Sequence, residues 1–213
     1  MRIGILGTGE VGKTIAKGLA GRGHEVRIGS RDVRKLDDWL PEAGPRVQAA
    51  SFADAASFAE VAILATLWSG TENALRLAGH ENLAGKVVID TTNPLVFHSD
   101  GPPTLALGFD DSAGEQVQRW LPASRVVKCF NITGNRNMVD PTFPDGQPDM
   151  WICGNDSAAK ETVSGICREL GWPPVVDCGG IEGARLLEPL AMLWIDYGIR
   201  HGSWTHAFKL LRK

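Results

Sequence analysis

A glycine-rich hexapeptide directly after a predicted strand constrains this chain more than any other feature. Residues 2–6 are mostly apolar, and Gly7–Gly12, with the sequence GTGEVG, follows them and opens a helical pattern. In that setting the GxGxxG spacing is typical of a dinucleotide-binding turn, because its glycines allow a tight turn, a close pyrophosphate and close helix packing. The sequence therefore predicts a dinucleotide site at this turn, with a glycine turn that binds nothing as the alternative.

Strand-like apolar segments alternate with helix-period segments along the chain, which predicts an α/β fold. We expect a doubly wound, Rossmann-type parallel sheet with a smaller C-terminal lobe, divided into residues 1–125 and 126–213. Residues 97–111 lack a steady period and are predicted to form a long, lid-like loop, whereas residues 181–213 are predicted to be helical. The predicted strands span residues 2–6, 24–28, 47–50, 61–65, 86–90, 125–130, 150–153 and 175–177.

Composition limits the classes of function. Of the 213 residues, 43% are hydrophobic and 22% are charged, which is typical of a globular protein. The formal net charge of −3, without a basic cluster, predicts no nucleic-acid partner. The cysteines lack a CxxC spacing and the histidines lack metal-ligand spacing, so we expect reduced thiols and no metal. Neither a signal segment nor a membrane-length apolar run is evident, so we expect a cytoplasmic protein without membrane contact.

The end of the second predicted strand indicates which dinucleotide is bound. An NAD-binding protein places an acidic residue there, against the ribose 2′-hydroxyl. This chain has Ser30 and Arg31 instead, with Lys35 about one helical turn further on. Cationic side chains suit a 2′-phosphate, which favours NADP over NAD. Asp32 argues against this interpretation unless it is a helix N-cap, as we predict, and a plain surface pair of Arg31 and Lys35 is the other alternative.

Two later strand ends extend the predicted site. ATLW at residues 65–68 ends the fourth predicted strand, and DTTNPL at residues 90–95 ends the fifth. In an open parallel sheet the carboxyl ends of the strands line the ligand crevice. These segments are therefore expected to lie along the ribose and nicotinamide, with a simple turn at Asn93-Pro94 as the alternative.

Together these motifs give the chain a resemblance to a known family. It resembles the coenzyme F420-dependent NADP oxidoreductases, a group that is also similar to the reductase domain of the STEAP metalloreductases. The motifs that carry the resemblance run nearly end to end: GTGEVG at 7–12, GSR at 29–31, ATLW at 65–68, IDTTNP at 89–94, VVKCFN at 126–131, WICGND at 151–156 and ARLLEPLAMLW at 184–194.

The resemblance implies an activity and a division of the site. It implies that hydride passes directly between the nicotinamide of NADP(H) and the stacked deazaflavin ring of F420. It also implies that Thr8, Ser30 and the two nearby cations hold the 2′-phosphate end. The nicotinamide would lie near Asn93 and the turn after Phe130. Residues 133–135 depart from the small or apolar residues of related enzymes, which leaves the identity of the hydride acceptor open.

The predicted site has a cofactor part and an acceptor part. The cofactor part comprises the glycine turn, the 2′-phosphate corner and the later strand ends: Gly7, Thr8, Gly9, Glu10, Val11, Gly12, Ser30, Arg31, Lys35, Thr66, Leu67, Trp68, Asn93, Pro94 and Asn135. The acceptor part is expected beside the nicotinamide, between a turn and the C-terminal helix: Ile132, Thr133, Gly134, Leu190 and Trp194. Hydride transfer between stacked rings needs proximity more than an acid or base, so no catalytic residue is assigned.

These inferences predict an NADP-dependent oxidoreductase that exchanges hydride between NADP(H) and coenzyme F420 or a flavin-like acceptor such as FMN or FAD. A soluble NADPH-dependent flavin or ferric reductase is one alternative, and a non-catalytic NADP(H) redox sensor is another. The apolar and aromatic stretch over residues 186–211 also predicts a homodimer.

Overall fold

Eight strands form one sheet in the computed structural model of this protein, which describes residues 1–173, 175–211 and 213. Numbered in chain order with a separate two-stranded hairpin, the strands are β1 (Arg2–Leu6), β2 (Glu25–Ser30), β3 (Val47–Ser51), β4 (Val61–Leu64), β5 (Val87–Asp90), β6 (Leu95–Val96), β7 (Thr104–Leu105), β8 (Arg125–Lys128), β9 (Trp151–Gly154) and β10 (Val176–Asp177). The predicted strands are confirmed, with bounds that differ by one or two residues.

The strand order in the large sheet is β10-β9-β8-β5-β4-β1-β2-β3. Every neighbouring pair is parallel except β8 and β9, which are antiparallel. The prediction of a parallel sheet is therefore confirmed, with the single exception of the β8–β9 pair. The connection between β8 and β9 contains no long helix that would carry the chain back across the sheet, so β9 starts at the end where β8 stops.

Helices occupy most of the intervals between strands, which confirms the Rossmann-type α/β fold. Side chains of β1, β4 and β5 are almost completely buried, as expected for parallel strands that are covered on both faces. The helices are α1 (Glu10–Gly21), α2 (Leu40–Ala43), α3 (Phe52–Phe58), α4 (Trp68–Ala78), α5 (His80–Leu83), α6 (Ala113–Trp120), α7 (Ser157–Glu169) and α8 (Ala184–His201). Within the described ranges, none of these is long and apolar enough to cross a membrane.

The C-terminal part continues the sheet of the N-terminal part. Strands β8 to β10 add to the edge of β5, and α8 packs beyond them. A boundary between two domains at residue 125 stays a prediction.

Two predictions, one of a loop and one of a helix, need correction. The predicted structureless loop over residues 97–111 contains β7, which pairs antiparallel with β6. The predicted C-terminal helix stops at His201, because Gly202 adopts a left-handed conformation with φ of 60°. The chain then turns back along α8, where Trp194 Nε1 donates a hydrogen bond to the carbonyl of His206 at 2.8 Å. Trp204 and His206 therefore pack against Trp194 of the helix and do not continue it.

Candidate cofactor-binding crevice

A crevice of about 640 Å³ opens at the carboxyl ends of the parallel strands. It runs from the end of β2, past the glycine turn after β1, to the segments that follow β4 and β5. Of the predicted cofactor residues, Gly12 and Pro94 do not line it; those that do are Gly7, Thr8, Gly9, Glu10, Val11, Ser30, Arg31, Lys35, Thr66, Leu67, Trp68, Asn93 and Asn135. One continuous surface thus brings together motifs that are far apart in the sequence.

The glycine turn has the geometry that its spacing predicts. Gly7 has φ of 130°, and a Cβ atom there would lie 2.1 Å from the carbonyl oxygen of Ala65. A Cβ at Gly12 would lie 2.3 Å from the carbonyl oxygen of Gly7, so this glycine allows α1 to pack on the turn. No atom lies within 4 Å of a Cβ placed at Gly9, which leaves room for a ligand above the backbone. The first turn of α1 has no side-chain cap, so its amide groups are available to an anion.

The end of β2 presents two cations to the crevice. Arg31 and Lys35 are exposed, and among the residues that the structure describes neither forms a salt bridge. Asp32 accepts a hydrogen bond from the Arg34 amide at 3.2 Å, which confirms that it is an N-cap. Ser30 Oγ donates to the Asp32 carbonyl at 2.7 Å, so this hydroxyl shapes the turn. The two cations are therefore the groups left to bind a phosphate.

The far end of the crevice has an apolar mouth. Leu67 is 69% exposed and Phe97 is 64% exposed, although both are large apolar side chains. Trp68, the first residue of α4, also lines the crevice and stacks on Trp120 with ring centroids 5.4 Å apart. Asn135 completes this end of the lining. Sequence analysis did not single out Phe97, because it lies in a segment without periodicity.

Asn93 is held in place by Asn131, a residue that sequence analysis did not assign to the site. Asn93 Nδ2 donates to the Asn131 carbonyl at 2.8 Å, and Asn131 Nδ2 donates to Asn93 Oδ1 at 3.0 Å. Asn131 Nδ2 also donates to the Leu187 carbonyl of α8 at 3.0 Å. The turn depends on Phe130, which is fully buried with φ of 62°, a conformation that costs a residue of this size free energy. These bonds fix the wall of the crevice to α8.

A buried ion cluster lies behind the same wall. Lys128, which is 0% exposed, contacts Asp90 Oδ2 at 2.7 Å and Glu188 Oε1 at 2.9 Å, and it donates to the Thr92 carbonyl at 2.7 Å. Burial lowers the pKa of the Lys128 ammonium, but the carboxylates of Asp90 and Glu188 raise it further, so the net pKa is above the ordinary lysine value. The sole sequence signal for this cluster was a lysine inside the apolar run VVKCF.

Both carboxylates of the cluster have further donors. Asp90 Oδ1 accepts from the amide of Thr92 at 2.9 Å and from its hydroxyl at 2.7 Å. Glu188 accepts from the amides of Ala113 and Gly114, each at 3.0 Å, and thereby caps α6 from a different helix. The cluster therefore joins the ends of β5 and β8 to α6 and α8.

The predicted acceptor residues lie behind Asn135 and do not line the crevice. Ile132 and Thr133 are buried. A Cβ at Gly134 would lie 2.7 Å from Cη2 of Trp194, so the indole ring occupies the space that we expected a ligand to fill. Leu190 is partly buried and packs against the core. Substitution of Gly134 would therefore act first on the packing of α8.

Comparisons with known proteins agree with one another. Residues 2–94 match the model of a family described as NADP oxidoreductase, coenzyme F420-dependent. The chain is 32% identical to the F420-dependent NADP reductase of Methanothermobacter marburgensis, over 94% of each chain. It is 31% identical to rat metalloreductase STEAP3 over 90% of this chain, but that match spans only 37% of STEAP3. A solved structure described as a candidate F420-dependent NADP reductase from Arthrobacter sp. FB24 is 43% identical, covers 100% of both chains and superimposes with a TM-score of 0.95.

Proposed function

This chain belongs to the family of coenzyme F420-dependent NADP oxidoreductases, and on that premise we propose that it transfers hydride between NADP(H) and coenzyme F420 or a similar flavin-like acceptor. The observation that carries the proposal is the single crevice in which the cations after β2, the glycine turn after β1 and an apolar mouth beside β4 and β5 follow one another. NADP(H) needs these three environments in that order, for its 2′-phosphate, its pyrophosphate and its nicotinamide.

We propose that the glycine turn and the first amides of α1 bind the pyrophosphate, and that Arg31 and Lys35 bind the 2′-phosphate. The ribose and nicotinamide would then lie against Thr66, Leu67, Trp68, Asn93 and Asn135. Gly12 and Pro94 would not contact the cofactor, and we propose that they shape the backbone beside it. The bound cofactor supplies the hydride, or accepts it, and this chain orients it and limits the access of water.

The acceptor is proposed to bind at the mouth of the crevice. Leu67 and Phe97 expose apolar surface there, which a flat ring system would cover, and exposed apolar side chains in a crevice are typical of ligand sites. Asn135 also lines the crevice and offers a polar group. We propose that this mouth is supported from behind by the residues Ile132, Thr133, Gly134, Leu190 and Trp194. No side chain is assigned as a general acid or base.

Turnover by the purified protein tests this function. We expect NADPH to lose its absorbance when oxidised F420 is added, and much more slowly when FMN, FAD or a ferric chelate replaces it. A faster reaction with FMN or with the ferric chelate would instead favour the flavin or ferric reductase that the similarity to STEAP3 suggests. Tight NADPH binding without turnover of any of these acceptors would favour a redox sensor.

We also propose a homodimer that forms through α8. Four large apolar side chains of this helix are exposed in the single chain: Leu186, Leu193, Tyr197 and Ile199 are 70%, 57%, 48% and 46% exposed. A monomer usually exposes fewer large apolar side chains on one helix. Light scattering at micromolar concentration should give twice the mass of the chain, and Leu193→Lys should lower it to one chain. A wild-type monomer would contradict the proposal.

The cytoplasm is the compartment that we propose. Cys129 and Cys167 are buried with their Sγ atoms 3.5 Å apart and not bonded, and free thiols at this distance fit a reducing compartment.

A further inference from the structure

The buried ion cluster behind the crevice wall carries a net negative charge. Lys128 contributes one positive charge, and Asp90 and Glu188 contribute one negative charge each. The side chains of all three are at most 2% exposed, so water screens them poorly. The N-terminus of α6, which Glu188 caps, offsets about half a charge. A net charge of roughly minus one half is left inside the protein.

This charge lies one residue away from the crevice. Lys128 and Asp90 both bond Thr92, through its carbonyl, amide and hydroxyl groups. Thr92 itself lines the crevice, together with Thr91 and Asn93. These residues form the end of the crevice that lies farthest from the cations after β2. The field of the cluster therefore acts on this end and hardly on the 2′-phosphate corner.

We infer that the Lys128–Asp90–Glu188 cluster stabilises the oxidised nicotinamide relative to the reduced one, and so shifts the balance of the bound cofactor toward NADP⁺. The inference rests on the proposed function. When NADPH gives up hydride, a C–H bond breaks, its electron pair leaves with the hydrogen for the acceptor, and the acceptor takes a proton from solvent. The nicotinamide ring gains a positive charge in this step. A fixed negative charge behind the wall attracts the charged ring and not the neutral one.

The expected size of the effect follows from Coulomb's law. A charge of half a unit to one unit at a distance of about 10 Å, with an effective dielectric constant of about 20, changes the ratio of the two affinities by roughly four- to sixteenfold. NADP⁺ and NADPH share the pyrophosphate and the 2′-phosphate. The ratio of their dissociation constants therefore reports on the nicotinamide end alone.

Glu188→Gln tests the inference, because it removes one negative charge and keeps the shape of the side chain. Isothermal titration calorimetry of the full chain should show NADP⁺ binding weakened roughly four- to sixteenfold more than NADPH binding. Glu115→Gln is the matched control. Glu115 also joins α6 to α8, through a 2.6 Å contact with Arg185, but it does not touch Thr92. The ratio of affinities should stay at the wild-type value in this control.

Asp90→Asn provides a second variant at the other end of the cluster, and it should shift the ratio in the same direction. Equal weakening of both cofactor forms, or no change in the ratio, would make the cluster a support for Thr92 only and overturn the inference. An equal shift in Glu115→Gln would do the same. We would also abandon it if neither cluster variant folds, since the charge would then serve folding. A wild-type protein that binds neither form would instead refute the proposed function.

Discussion

Lys128→Met should destabilise the protein by about 3 to 5 kcal/mol, the usual cost of removing one partner from a buried ion pair. The methionine has a similar length but leaves the carboxylates of Asp90 and Glu188 buried without a cation. It also removes the hydrogen bond to the Thr92 carbonyl. Urea denaturation followed by tryptophan fluorescence measures the free energy of unfolding.

Lys160→Met is the matched control for this substitution. Lys160 also contacts a carboxylate, that of Asp177, at 2.7 Å, but its side chain is 16% exposed and that of Asp177 is 51% exposed. An ion pair that reaches solvent contributes less than about 1 kcal/mol. A loss of the same size in both variants would mean that burial of the cluster does not determine its contribution.

The loss of stability in Lys128→Met should depend on pH. Without the ammonium, nothing offsets the cost of burying two carboxylates, so protonation of these groups relieves part of the destabilisation. A group with a raised folded pKa adds stability below its unfolded pKa and loses that contribution as pH rises through the folded pKa. The difference between variant and wild type should therefore shrink from pH 7 toward pH 5. In the wild type, the raised pKa of Lys128 means that its contribution is lost only at strongly alkaline pH.

The geometry of the glycine turn and the position of the cations after β2 were predictable because they are local. The tight turn at Gly7 and the packing contact at Gly12 depend on residues that are close in sequence or on the adjacent strand. The strand order then brings Arg31 to the same edge as the turn, as parallel topology requires. Prediction therefore succeeded where short spacing and strand ends determine position.

The acceptor side was less predictable because its contacts join distant parts of the chain. Gly134 indicated a close approach, but the sequence did not reveal that the approaching group is Trp194. Lys128 was not predicted to be a buried charge, although it lies in an apolar strand, and its partners come from β5 and α8. Phe97 lies in a loop where no periodicity predicts exposure. In each case the missing information is which side chain faces which across the sheet.

Arg31→Ala should weaken NADPH binding by about 1.5 to 3 kcal/mol, or roughly 10- to 150-fold, and should leave NADH binding almost unchanged. NADPH and NADH differ only in the 2′-phosphate, and Arg31 lies on the crevice lining at the strand end where that group is proposed to bind. The guanidinium is free of salt bridges to the described residues, so its removal breaks no ion pair of the apoprotein. Lys35→Ala should act in the same direction with a smaller effect, because an ammonium does not bind phosphate through two parallel hydrogen bonds.

Arg34→Ala controls for a general loss of positive charge in this segment. Arg34 lies on the single helical turn Val33–Leu36, which also carries Lys35, but its Nε contacts Asp32 at 3.3 Å, and it does not line the crevice. Its removal should change the affinity for NADPH by less than about twofold, since an exposed pair contributes little and distant charges are screened. Fluorescence titration with both cofactors measures all four proteins. If Arg31→Ala weakens NADH as much as NADPH, the arginine stabilises the turn after β2 instead of binding the 2′-phosphate, and the preference for NADP must have another source.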